Sequence, residues 1–164
     1  MHDSPPGKEV SRVKLQRLKL SELVAHDPEL MRSELVTHLP PDAVATVLDA
    51  AQLRRFEAGT LIFREGAPGS TLFFILKGEI QLSCESAEVV ACARGEVVGE
   101  VEVLRPGPRS LTAHALSDVD VAELPREALT LLGEAAKPLG LRLLAIAQAR
   151  LGARSELDAF LKRW

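Results

Sequence analysis

With 164 residues, 46% of them hydrophobic and 26% charged, the chain has the size and make-up of one soluble globular domain, which excludes a disordered or fibrous polymer. Twenty basic residues nearly balance twenty-three acidic ones, for a formal charge of −3, so neither DNA nor an anionic membrane surface is an expected partner. No apolar run reaches signal-peptide length at the N-terminus or the roughly eighteen residues of a membrane span, and a cytoplasmic protein is expected.

Residues 1–12, with Ser4-Pro5-Pro6-Gly7, read as a mobile leader. Lys8, Arg12, Lys14, Arg17 and Lys19 form a basic stripe that fits a solvated helix face. Residues 13–52 read as N-terminal helices. Asp27 is placed to cap a helix that starts at Pro28 and carries Met31, Leu35 and Leu39 at four-residue spacing. Pro40-Pro41 stops that helix and begins another, with Val44, Val47, Leu48 and Ala51 on one face.

The period then falls from near four to two. Over residues 53–124 short strands are predicted at Thr60–Phe63, Thr71–Leu76, Glu79–Cys84, Val89–Ala93, Ser110–Leu116 and Asp118–Leu124, separated by glycine-marked turns. Close-spaced strands without long helices between them indicate a mainly β domain with flanking helices, an antiparallel roll rather than a parallel sheet. A turn centred between Ser86 and Ala87 would pair Cys84 with Val89 and Cys92 with Gln81. The two cysteines would then not face one another and are expected to be reduced.

Residues 125–164 read as C-terminal helices. One opens at Pro125 with Leu129 and Leu132, and a longer one follows Pro138 through Leu141, Leu144, Ala147 and Leu151, ended or kinked at Gly152. Leu157, Phe160, Leu161 and Trp164 recur at helical spacing, which suits either docking on another protein or packing back on the domain.

The chemistry concentrates in residues 99–112. Gly99-Glu100 opens the apolar turn Val101-Glu102-Val103-Leu104, Pro106-Gly107-Pro108 reverses the chain, and Arg109-Ser110 begins the next strand. Unsatisfied amides at the start of a helical turn, faced by a guanidinium, would suit a phosphate, and Glu100 could accept from a sugar hydroxyl. A solvated loop with a chance arginine fits the same residues.

This stretch resembles the phosphate-binding cassette of the cyclic nucleotide-binding domain, a family that includes catabolite-activator-type regulators, protein kinase A regulatory subunits and cyclic-nucleotide-gated channels. Phe56 to Gly66 and Leu72 to Ile80 are similar to the family's first strands and glycine turns, and the resemblance runs over residues 35–150. It implies a double-stranded β-roll of the jelly-roll type, and a sensor that binds cAMP or cGMP without a cofactor. Residue by residue, it assigns Arg109 to the cyclic phosphate, Glu100 to the ribose 2′-hydroxyl, and Gly99 to the close approach of backbone and sugar. Val101 lies within the cassette, the amide of Glu102 joins the phosphate donors, and Ser110 contacts phosphate or base. Leu141 and Leu144 would lie on the lid or dimer helix, making a homodimer through that helix an expected assembly.

Glu102 departs from the family's small residue. Turned inward, within about 5 Å of the phosphate, it would repel it by roughly 3 kcal/mol at an effective dielectric near 20, about two orders of magnitude in affinity. It could instead pair with Arg109 and fill the site, leaving a non-binding roll that acts as a protein-interaction scaffold. Ala67, Ser70 and Val98 also depart from the family pattern, at positions where packing can absorb the change. His2, His26, His38 and His114 have no metal-ligand spacing, and no hydrolase elbow, Walker loop or dinucleotide fingerprint occurs, so no enzyme is expected. The residues after Pro138 are too few for a helix-turn-helix domain, so no DNA binding is expected.

Overall fold

The computed structural model describes the backbone of residues 19–85 and 87–162 and the side chains of 19–85 and 90–152. The leader, the basic stripe up to Arg17, and Trp164 lie outside the described residues, as do the side chains of Leu157, Phe160 and Leu161. Among the described residues four short helices come first: α1 Leu20–Ala25, α2 Pro28–Met31, α3 Glu34–Thr37 and α4 Pro41–Asp49. Asp27 caps α2 as expected, accepting from the amides of Glu29 and Leu30 at 3.1 and 3.2 Å. The single helix expected from Pro28 to Leu39 is instead two. Ser33 takes extended backbone and its hydroxyl accepts from the Val36 amide at 3.4 Å, so a second cap interrupts the run. The break shifts the apolar face: Leu30, Leu35 and Leu39 are buried, whereas Met31 is 40% exposed.

Ten strands follow, interrupted by one helix: β1 Gln52–Phe56, β2 Leu61–Phe63, β3 Pro68–Gly69, β4 Leu72–Lys77, β5 Ile80–Cys84, β6 Ala87–Cys92, β7 Val97–Val98, α5 Glu100–Leu104, β8 Gly107–Pro108, β9 Thr112–Ala115 and β10 Val119–Leu124. Every pairing is antiparallel. One sheet has the order β1-β10-β4-β7, the other β2-β9-β5-β6, and β3 pairs β8 as a two-stranded ribbon. The double-sheeted roll is therefore present.

Period-two alternation divides the interior in two. Phe73 and Ile75 of β4 and Val119 and Val121 of β10 join Ile80 and Leu82 of β5 in the core between the sheets. Leu72, Phe74, Ala122 and Leu124, pointing the other way, pack with Leu35, Val47, Leu48 and the C-terminal helix. Because the first sheet is covered on both faces, β4 reads as an unbroken apolar run instead of an alternating one.

The β5–β6 register differs from expectation. Cys84 pairs with Ala87 and Cys92 with Ile80, because the hairpin closes one position earlier than expected, and a bulge between Leu82 and Ser83 recovers only part of the shift. Both cysteines are free and buried. Four strands were not expected: β3, β7 and β8, each only two residues long, and β1, whose Gln-Leu-Arg-Arg-Phe sequence carries no alternation. Cross-strand ion pairs hold β1 to β10, Arg54 to Glu123 and Arg55 to Asp120, each at 2.7 Å.

After the roll come α6 Arg126–Thr130, a 3₁₀ turn Gly133–Ala136, and α7 Lys137–Lys162. Gly152 does not end α7, which runs on for ten residues beyond it. A glycine inside a helix costs about 1 kcal/mol relative to alanine, not enough to stop a helix this long. Among the described residues no helix is long and apolar enough to cross a membrane.

Candidate functional site

The expected cassette is α5 with the loop and strand that follow it. Gly99 caps α5 at φ +84°, where a Cβ would lie 2.7 Å from Arg109 Nη1 and 2.8 Å from the Thr71 carbonyl oxygen. Only glycine satisfies both the left-handed backbone and that close approach. The ribbon β3–β8 delivers Arg109 to the same place: its amide donates to the Ala67 carbonyl and its own carbonyl accepts from the Gly66 amide, each at 2.8 Å. The arginine side chain then crosses directly over Gly69, where a Cβ would collide with Nε at 2.1 Å.

Arg109 is 5% exposed, and its guanidinium makes three hydrogen bonds within the site. Nη1 donates to the Thr71 carbonyl at 3.0 Å and to Glu102 Oε1 at 3.3 Å, and Nη2 donates to Thr71 Oγ1 at 3.0 Å. Its plane lies over the rings of Phe63 and Phe73, 4.5 and 5.6 Å from the centroids. Thr71 Oγ1 donates onward to Glu123 at 2.8 Å, tying the site to β10 and through Arg54 to β1.

Glu102 points inward and is 3% exposed. Besides Arg109, it accepts from the Ser110 amide at 3.2 Å and the Ser110 hydroxyl at 2.8 Å. A carboxylate thus receives donors from a guanidinium, a main-chain amide and a hydroxyl, the set that would otherwise suit a phosphate.

At the first position of α5, Glu100 is also 3% exposed. Burial pushes its carboxyl above the usual carboxylate range, and the nearby Arg150 guanidinium pulls it part of the way back. Arg150, from α7, donates through Nη1 to Glu100 Oε2 at 2.8 Å and to the Val97 carbonyl at 2.7 Å, and through Nη2 to Cys92 Sγ at 3.1 Å. Burial pushes the Cys92 thiol up to about 11. The space bounded by Phe63, Leu82, Val101, Leu111 and the two glutamates is about 10 Å³, close to the threshold for one water molecule.

Gly99, Glu100, Val101, Glu102, Arg109 and Ser110 therefore gather as the sequence implied. Leu141 and Leu144 do not join them: they are 59% and 46% exposed, while Leu139, Leu143 and Ala147 form the buried face of α7. Four contributors escaped sequence reasoning, namely Thr71, Gly69, the Phe63–Phe73 pair and Arg150. Arg150 had a visible signal, a cation that extends the stripe Leu139, Leu143, Ala147 by one helical turn. Among the described residues, no group of three or more His, Cys, Asp or Glu could hold a metal ion.

Comparison with known proteins agrees with this geometry. Over 95 residues, 57% of this chain and 23% of the relative, the sequence is 34% identical to a cAMP-dependent protein kinase regulatory subunit of Emericella nidulans. A CRP-like cAMP-activated global transcriptional regulator of Mycobacterium tuberculosis is 26% identical over 108 residues, 63% of this chain and 48% of the relative. The chain thus spans less than half the length of either curated relative. Among solved structures, the N-terminal domain of a transcriptional regulator from Streptomyces coelicolor matches with a TM-score of 0.62 at 26% identity, covering 81% of this chain and 94% of that one. The second cyclic-nucleotide domain of a protein kinase A regulatory subunit bound to Sp-2Cl-cAMPS has the same fold, with a TM-score of 0.71 at 19% identity over 94% and 95% of the two chains. The family model for the cyclic nucleotide-binding domain matches residues 53–134, half of the chain. The chain belongs to the cyclic nucleotide-binding domain family.

Proposed function

We propose that this chain is a cytoplasmic, non-catalytic regulatory module in which cAMP or cGMP binds only by displacing Glu102 from Arg109. The ion pair between those two residues carries the reading: the cation assigned to the phosphate is neutralised in advance by a carboxylate of the cassette itself. A phosphate entering beside an inward Glu102 would meet repulsion of roughly 3 kcal/mol, so binding to the natural chain is expected to be about two orders of magnitude weaker than to a Glu102→Ala variant. The relatives support the ligand class, since two of them are named for cAMP dependence or activation. The exposed Leu141 and Leu144 support a homodimer through α7 as the assembly that would read the site.

Titration calorimetry of the chain and of Glu102→Ala with each nucleotide tests the proposal. The variant is expected to bind at least one of them with about a hundredfold gain over the natural chain. Absence of heat and of any melting shift at millimolar nucleotide in a Glu102→Ala chain that still melts cooperatively, or in Glu102→Gln should the alanine variant fail to fold, rejects it and leaves the roll as a ligand-independent scaffold.

A further inference from the structure

Five arginines among the described residues are buried or half-buried, and four of them sit against a carboxylate. Arg94 meets Asp27 and Glu29, Arg109 meets Glu102, Arg142 meets Glu34, and Arg150 meets Glu100. Arg126, at the start of α6, is the fifth, and among the described residues it has no such partner. Its Nε donates to the Val103 carbonyl at 3.1 Å. The two Nη groups of the fork are left without a protein acceptor there, although a cation partly withdrawn from water is ordinarily paired.

Arg126 lines a cavity of about 250 Å³ bounded by α5, α6, the 3₁₀ turn and α7. Val103, Leu129, Leu139 and Leu143 give it an apolar wall, and its only charged lining residues are two cations, Arg126 and Lys137. Gly140, in the first turn of α7, borders the same space, and a Cβ added there would meet nothing within 4 Å. Close packing therefore does not demand a glycine at that position, and alanine would favour the helix. What the missing side chain preserves is open room.

We infer that this cavity is a binding site for a small amphiphilic carboxylate, with its apolar body against the leucines and its head on the free fork of Arg126, Lys137 serving as the second cation. Size sets the body. An apolar cavity of roughly 150 Å³ takes a benzene-sized guest, and drug-sized ligands need roughly 300–1,000 Å³, so this one suits a single ring or a short alkyl chain. Charge sets the head, because a planar guanidinium with two free donor groups matches a carboxylate. None of Gly99, Glu100, Glu102, Arg109 and Ser110 lines the cavity, so occupancy here is independent of any nucleotide.

Methyl-resolved NMR of the full chain at neutral pH, without nucleotide and with octanoate as the probe, tests the site. Octanoate is expected to shift the methyls of Val103, Leu129, Leu139 and Leu143 with a Kd of about 1 mM or tighter, and to leave Leu82 and Val121, between the sheets, unmoved. 1-Octanol, the same chain without the charge, is expected to bind about tenfold more weakly. Acetate, the charge without the chain, is expected to move none of these methyls. No shift with octanoate, shifts confined to the core between the sheets, acetate shifting the same methyls as octanoate, or 1-octanol bound as tightly as octanoate overturns the assignment.

Arg126→Gln is expected to weaken octanoate by about tenfold. Should that variant fail to fold, since Arg126 also holds the Val103 carbonyl, Gly140→Leu reads the same cavity. Its added side chain meets open space and suits a helix, so the chain is expected to stay folded while octanoate binding falls by about tenfold or more. Octanoate held by either folded variant as tightly as by the natural chain overturns the site.

Discussion

Glu102 Oε1 lies 3.3 Å from Arg109 Nη1, and the two side chains are each 4% exposed. Removing one partner of such a pair strands a charge where water cannot reach it, whereas removing both strands none. Arg109→Met is therefore expected to cost about 3–5 kcal/mol of stability, by leaving Glu102 with Ser110 as its remaining donor residue. Combining Arg109→Met with Glu102→Gln is expected to cost less than the sum of the single changes by at least about 1 kcal/mol in urea denaturation. Additive costs would mean that the two side chains are independent.

Two glycines frame that arginine for different reasons, and the difference is measurable. At Gly69 the backbone is unstrained and the obstacle is the arginine itself, at 2.1 Å from an added Cβ. At Gly99 the obstacles are a φ of +84° and the Thr71 carbonyl at 2.8 Å, in addition to Arg109. Each alanine substitution is expected to destabilise the natural chain by about 1–3 kcal/mol. In an Arg109→Ala background, Gly69→Ala is expected to become nearly neutral while Gly99→Ala keeps most of its cost. Equal relief at both positions would contradict this account.

The architecture was legible because β5 and β9 alternate buried with part-buried residues and β4 is a short unbroken apolar run bounded by turn residues, both of which are local signals. The cassette was legible because its residues lie within one fourteen-residue stretch, 99–112, including the inward option for Glu102. Contributions from elsewhere were hidden. Thr71 meets Arg109 across 38 positions and Arg150 meets Glu100 across 50, distances at which neither period nor spacing carries information. Where local pattern misled, a polar residue had intervened: Ser33 split a helix whose apolar spacing looked continuous, and the arginines of β1 hid a strand held by ion pairs. Gly152 misled in the opposite sense, since α7 continues through it.

Glu100 makes the acid limb of the stability curve informative. Its carboxyl is raised, chiefly by burial, above the value it has in the unfolded chain, so the folded state holds that proton more tightly. The resulting stabilisation is complete below about pH 4.3, the unfolded glutamate value, and is lost as pH rises through the folded value. Glu100→Gln cannot lose it. The stability of Glu100→Gln relative to the natural chain is therefore expected to improve from pH 4 towards pH 7, as read from urea midpoints. A difference that stays constant or falls over that range would show that the Arg150 pair outweighs burial.

Cys92 provides the same analysis at the alkaline end. The thiol is 0% exposed and burial pushes it up to about 11 from 9.0, against a smaller opposing pull from Arg150. An unfolded chain ionises this thiol near pH 9 while the folded chain keeps it protonated, so the linked stabilisation is present below about pH 9 and disappears as pH climbs through 11. A shift of that size corresponds to roughly 2–3 kcal/mol. Cys92→Ala loses the sulfur that accepts from Arg150 Nη2 at every pH, which lowers its midpoint uniformly. The gap between the two proteins should therefore narrow between pH 8 and pH 11, because only the natural chain forfeits a bound proton there. Other groups that titrate in this range do so in both proteins and cancel in the difference. A constant gap, or rapid reaction of the folded natural chain with a thiol reagent at pH 9, would place Cys92 in contact with water and remove the basis for the shift.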